Sequence, residues 1–101
     1  MGSIKSNQYT TEETNLFLTT RAFAHPARIR MVKLFQDKME LRNTDLCKEL
    51  NLSKASVKGH LQMLKDANLI SVEYLTHCYI VSLNEKGIEN TRMILNLELP
   101  G

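Results

Sequence analysis

Between Asp45 and Leu64 the apolar positions recur at intervals of three and four residues, with one interruption. Leu46 and Leu50 are one helical turn apart, Leu52 falls in the interruption, and Val57, Leu61 and Leu64 repeat at i, i+4 and i+7. This spacing predicts two short amphipathic helices joined by a tight turn and sharing one core, a helix-turn-helix pattern. Ser53 precedes the second apolar run and is placed to cap it, its hydroxyl accepting from the N–H of Ala55 or Ser56. The opposite face of that helix carries Ala55, Lys58, Gly59 and Gln62 and no large apolar group. Such a face suits a polar partner surface.

The flanking segments extend the pattern. Residues 1–9 are polar and unpatterned and are expected to form a flexible tail, with residues 10–101 as one domain. Thr10 to Thr14 supplies cap-type residues and acids, after which Leu16, Phe17, Thr20 and Phe23 follow at helical spacing, predicting a helix from about Glu12 to Ala24. His25-Pro26 breaks it. Pro26 suits the first turn of a second helix, ending near Asp37, in which Ile29, Val32 or Lys33, and Phe35 or Gln36 recur. Met39 to Arg42 predicts a brief strand, and Asn43 or Thr44 a cap for the helix of Leu46 and Leu50. After the stop at Asp66-Ala67-Asn68, the alternating runs Ile70–Tyr74 and Tyr79–Leu83 predict a hairpin with its tip at Leu75 to Cys78. Asn84 then caps a last helix from Glu85 to about Leu97. The expected fold is mainly α with a small β-hairpin, in the order α-α-β-α-α-β-β-α of a winged helix-turn-helix.

Charge changes the picture of what this domain faces. The chain has a net charge of only +2, but residues 21–65 hold ten basic groups against four acidic ones, whereas the rest holds three against seven. Positive charge gathered around the helix-turn-helix is what a phosphate-facing surface needs, because each neutralised phosphate releases counterions. With 43% hydrophobic and 24% charged residues the 101-residue chain is ordinary for one globular domain and too short for a separate catalytic one. No apolar run reaches the length of a membrane span, and Cys47 and Cys78 stand far apart in no C-x-x-C pair, so a cytoplasmic protein with free thiols is expected.

Three pieces of the chain are similar to the ArsR (arsenical-repressor-like) family of bacterial transcription regulators. Ala24-His25-Pro26-Ala27-Arg28-Ile29-Arg30-Met31-Val32 resembles the family's small-acid-Pro-x-Arg-x-x-Ile-Leu start of the second helix, with His25 where an acid is commoner. Asp45-Leu46 to Leu50 and Ser53 to Leu64 resemble its helix pair, including His60-Leu61. Leu69-Ile70 resembles the Gly-Leu-Ile that leads into the wing, with Asn68 in place of the glycine. The resemblance implies a homodimeric DNA-binding repressor whose first and last helices form the dimer interface and whose effector is often a metal. The metal does not carry over: the family's Cys-x-Cys thiolate pair falls on Arg42 and Thr44, and the last helix lacks histidine, with Glu85 and Glu89 as its paired acids.

The remaining candidate ligands have plainer roles. His60 lies at the edge of the apolar stripe and reads as a structural, hydrogen-bonded histidine. Cys47 reads as a small buried hydrophobe. His77-Cys78 at the hairpin tip offers two ligands, short of the four a structural zinc takes. None of His25, His60 and His77 sits in a nucleophile elbow or a His-Glu-x-x-His helix, and no phosphate-binding glycine loop is present, so neither an enzyme nor a cofactor is expected.

The sequence therefore predicts a regulator that binds double-stranded DNA at an inverted repeat, with helix 53–65 in the major groove. The expected DNA-contacting residues are Ser53, Lys54, Ala55, Ser56, Lys58, Gly59 and Gln62: the lysines on phosphates, Ser56 and Gln62 on base edges. Leu16, Phe17, Ile88, Leu95 and Leu99 are expected at a homodimer interface, because the first and last helices carry more apolar surface than one core-facing stripe requires. The rival reading is a winged helix that binds protein, since Glu73 to Tyr79 in the predicted wing holds no lysine or arginine.

Overall fold

The computed structural model describes residues 8–98, with side chains as far as Met93; most of the expected tail and Leu99 lie outside the described residues. Helix α1 (Thr11–Ala22) starts in a capping box: Thr10 Oγ1 accepts from the Glu13 N–H at 3.0 Å and Glu13 Oε1 from the Thr10 N–H at 2.8 Å. Helix α2 (Pro26–Lys38) has Pro26 in its first turn, and His25 caps it, Nδ1 accepting from the Ala27 N–H at 3.0 Å. Strand β1 (Glu40–Arg42) leads into α3 (Asn43–Leu50), where Asp45, rather than the expected Asn43 or Thr44, serves the start by accepting the Arg42 N–H. The Asn43 side chain instead accepts the Tyr79 N–H, tying α3 to the sheet. Asn51 ends α3 in the left-handed region at φ 54°, and Ser53 caps α4 (Lys54–Asp66) by accepting from the Ser56 N–H.

Strands β2 (Ile70–Tyr74) and β3 (Tyr79–Leu83) form the expected hairpin, and α5 (Glu85–Glu98) follows. β1 joins that hairpin to make a three-stranded antiparallel sheet in the order β1-β3-β2. Leu41, Val81 and Val72 lie side by side across it, and that row faces the core. Ala22, Met31, Phe35, Leu46, Val57, Leu64, Leu69 and Val81 are almost completely buried and hold the helices on the sheet.

Two expected stripes are corrected. On α2 the core takes Met31, Val32 and Phe35, while Ile29 is 40% exposed: the stripe is centred nearer Arg28 than Ile29. On α1 the buried residues are Thr19 and Ala22, and Phe17 points outward at 41% exposure. Small residues let α1 approach α4 closely, so its larger apolar side chains are displaced to the flanks.

Gly87 fixes where α5 begins. Its N–H is accepted by Asn84 Oδ1, Asn84 in turn donates to Asn68 Oδ1, and a Cβ on Gly87 would overlap the Asn68 carbonyl. Gly87→Ala should therefore destabilise the domain by about 1–3 kcal/mol, the usual cost of overpacking. An unchanged urea midpoint would show that the helix can move off at no cost.

Candidate nucleic-acid interface

Helix α4 has two chemically distinct sides. Val57, Leu61 and Leu64 are buried against the domain, while Lys54, Ala55, Ser56, Lys58, Gly59 and Gln62 are all exposed. The structure thus brings the expected contact residues together on one open face, with Ser53 at its start. Ser53 accepts from the Ser56 N–H and donates to Ser56 Oγ, which leaves the Ser56 hydroxyl proton for another partner. Among the described residues neither Lys54 nor Lys58 forms an ion pair. A Cβ on Gly59 would meet nothing within 4 Å, so the fold itself places no demand for glycine there.

One flank of this face meets the wing. Lys58, Gln62 and Lys65 border a notch closed by Val72, Tyr74 and Tyr79, and Lys65 Nζ lies 5.6 Å from the centre of the Tyr74 ring. Burial, reinforced by Cys47 and Tyr74, pushes the Tyr79 phenol above its usual pKa. Cys47 packs against the core but is half-buried rather than fully buried as expected, and Cys78 is half-buried in the hairpin; both are free thiols.

The other flank is anchored by a side chain to which the sequence assigned no role. Arg28 donates through Nε to the Ala22 carbonyl and through one terminal nitrogen to the Arg21 carbonyl, both at 3.0 Å; the other terminal nitrogen lies 2.9 Å from His60 Nδ1. A guanidinium only donates, so His60 accepts at Nδ1 and carries its proton on Nε2. His25 stacks obliquely on His60, ring centres 4.5 Å apart. Burial first, then His25 and Arg28, lowers the His60 pKa below 6.5. The structural reading of His60 holds, and its partner could have been sought in the Pro-x-Arg run.

The model of the bacterial regulatory proteins of the arsR family matches residues 25–72. Those residues belong to the ArsR family. Among solved structures with this fold, an ArsR family transcriptional regulator is 15% identical, covers 85% of this chain and 88% of its own, and superposes with a TM-score of 0.75. HlyU from Vibrio cholerae N16961 is 18% identical over 89% of this chain and 98% of its own, with a TM-score of 0.67. The AntR antimony-specific transcriptional repressor is 16% identical over 96% and 94%, with a TM-score of 0.65. No curated protein matches the chain in sequence. The architecture is that of an ArsR-family winged-helix regulator, a family of regulators rather than enzymes.

Against the ArsR thiolate site, Arg42 and Thr44 are both exposed at the start of α3 and supply no soft ligand. Among the described residues no three His, Cys, Asp or Glu side chains gather as a metal-holding group, and no helix is long and apolar enough to cross a membrane. Of the expected dimer residues, Phe17 is exposed, Leu16 is half-buried, and Ile88 packs against its own core; the Leu95 side chain and Leu99 lie outside the described residues. Met93, at 55% exposure, marks the open side of α5.

The His60 contact has a pH consequence with a definite sign. Because its folded pKa lies below the unfolded one, the unfolded chain binds the proton first, and the stability from this contact is complete above about pH 6.5 and lost as pH falls through the folded value. The urea midpoint should fall between pH 7.5 and pH 5.5, and His60→Gln, which can still accept from Arg28, should flatten that fall. An equal slope in both proteins would remove His60 as the cause.

Proposed function

We propose that this protein is a sequence-specific regulator of transcription that binds duplex DNA as a homodimer, laying α4 in the major groove, and that it acts as a repressor. The observation that carries the proposal is the open face of α4, which presents lysines, hydroxyls, an amide and a bare backbone while all its large apolar side chains but half-buried Met63 are buried. Lys54 and Lys58 meet phosphates, Ser56 and Gln62 read base edges, and Ala55 and Gly59 let the helix backbone approach the base pairs. Residues 10–101 act as one domain whose terminal helices pair across a two-fold axis, setting inverted half-sites about 10 base pairs, or a multiple of that, apart. The repressor role is supported by a structural neighbour that is itself named a repressor. No metal effector is proposed, because the donor set at Arg42 and Thr44 does not suit one.

A protein-binding winged helix is the second reading, favoured by Tyr74 and Leu75, 69% and 46% exposed in a wing without lysine or arginine. Selection of bound duplexes from a random pool separates the two. Enrichment of a palindrome supports the regulator, and no retention of any duplex at low salt overturns it. Lys58→Ala should weaken binding to every duplex and flatten its salt dependence. Gly59→Ala offers a sharper test: it should stabilise the helix by up to about 1 kcal/mol yet weaken specific binding. Equal or tighter binding would show that the backbone makes no close approach.

The pairing of terminal helices is tested through Met93, whose exposed side chain can change without disturbing the core. Sedimentation of the native chain should give a dimer mass at micromolar concentration, and Met93→Glu should shift it toward the monomer and weaken operator binding together. A native monomer at that concentration would overturn the pairing.

A further inference from the structure

Asp66 occupies an unfavourable place for an acid. It is the last residue of α4, where the helix carbonyls already concentrate negative charge. It also lies on the same side of the helix as Gly59 and Gln62, four and seven residues C-terminal to them in reverse order, on the face proposed to meet phosphates. Both of its oxygens are engaged. Oδ1 accepts from Gln62 Nε2 at 2.8 Å, and Oδ2 accepts from a terminal nitrogen of Arg21 at 2.9 Å, across 45 residues of sequence from α1.

A carboxylate only accepts, so Gln62 has one permitted sense: its NH2 faces Asp66 and its Oε1 faces away. An unrestrained glutamine amide can present donor and acceptor in either order, and its rotamers must be frozen when it binds. With one N–H held by Asp66, one N–H and the carbonyl oxygen remain, the pair that an adenine edge requires. We propose that Asp66, held in turn by Arg21, is a positioning residue that fixes the Gln62 amide and so sets the base preference at the position Gln62 reads. This rests on the reading of α4 as the base-reading helix. Arg21 also lies over the Phe17 ring, 5.4 Å from its centre, so the relay starts beside the α1 face assigned to pairing.

An ordinary helix-surface Gln–Asp pair would affect helix stability but not base choice. The test is therefore base preference, read by selection from a random duplex pool with the full chain and its Gln62→Ala, Asp66→Ala, Arg21→Met and Gln62→Ala/Asp66→Ala variants. Gln62→Ala should relax the preference at one position of each half-site by about tenfold. Asp66→Ala should relax that same position and no other, with unrelated duplexes bound as well or better because an acid has been removed. Arg21→Met should do so more weakly, and the double variant should equal Gln62→Ala alone. Asp66→Asn, of equal size and able both to donate and to accept, should also relax it and serves if the alanine variant unfolds. Preference at that position kept in Asp66→Ala or Asp66→Asn while Gln62→Ala loses it would overturn the relay alone. A Gln62→Ala variant with unchanged preference everywhere would overturn the relay together with the assignment of Gln62 to a base, and absence of any duplex binding would overturn the reading of α4.

Discussion

The Arg28 guanidinium is the contact on which the arrangement of α1, α2 and α4 depends. The last carbonyls of a helix lack intrahelical partners, and at the end of α1 those of Arg21 and Ala22 both accept from this one side chain of α2, the Arg21 carbonyl also taking the Ala24 N–H. A cation there also opposes the negative end of the α1 dipole. The third arm reaches His60 on α4, so a single planar group sets the relation of three helices. Burial and the nearby Arg21 lower the Arg28 pKa, but a guanidinium stays charged in a protein, and the clamp persists wherever His60 remains neutral. Pro26 in the first turn and the His25 cap fix the backbone from which Arg28 projects.

Glycine plays opposite parts at Gly59 and Gly87. At Gly87 the absence of a side chain is a packing requirement, met by the Asn68 carbonyl, and it sets how α5 leaves the sheet. At Gly59 nothing in the domain fills the space a Cβ would take, although glycine inside a helix costs about 1 kcal/mol relative to alanine. A cost with no return inside the domain directs attention to what lies outside it, on the face shared with Ala55 and Gln62.

Elements whose cause is local were legible in the sequence. The cap within Thr10 to Thr14, the Ser53 cap, the stop at Asn68, both hairpin strands and the Asn84 cap are each decided within a few residues, and each stands where the pattern put it. Periodicity failed where packing partners rather than spacing choose the buried side. Thr19 and Ala22 are buried on α1 because α4 needs small residues there, and Ile29 is left outside because Arg28 takes the inward position. The addition of β1 to the hairpin joins residues some forty positions apart, and no local signal announces it. The candidate face of α4 was legible as a list of side chains. The long-range contacts that orient it, Arg28 to His60 and Arg21 to Asp66, were not, because in each the two partners lie more than thirty residues apart; only the link from Asp66 to Gln62 is local, four residues along the helix.

Those two connections divide the work around α4. One acts on the flank near His60 and arises from α2; the other acts on the open face at Asp66 and arises from α1. The wing flank, by contrast, rests on apolar packing at Leu61 and Val72 and on the weaker attraction of Lys65 to Tyr74. Directional hydrogen bonds tie α4 to α1 and α2, and non-directional contacts tie it to the wing. Rigidity therefore favours the relation of α4 to α1, the helix assigned to pairing between copies. If two copies pair through α1, the same bonds that orient α4 within one domain also fix the angle at which two such helices meet successive grooves, whereas the wing remains the part able to adjust to the duplex.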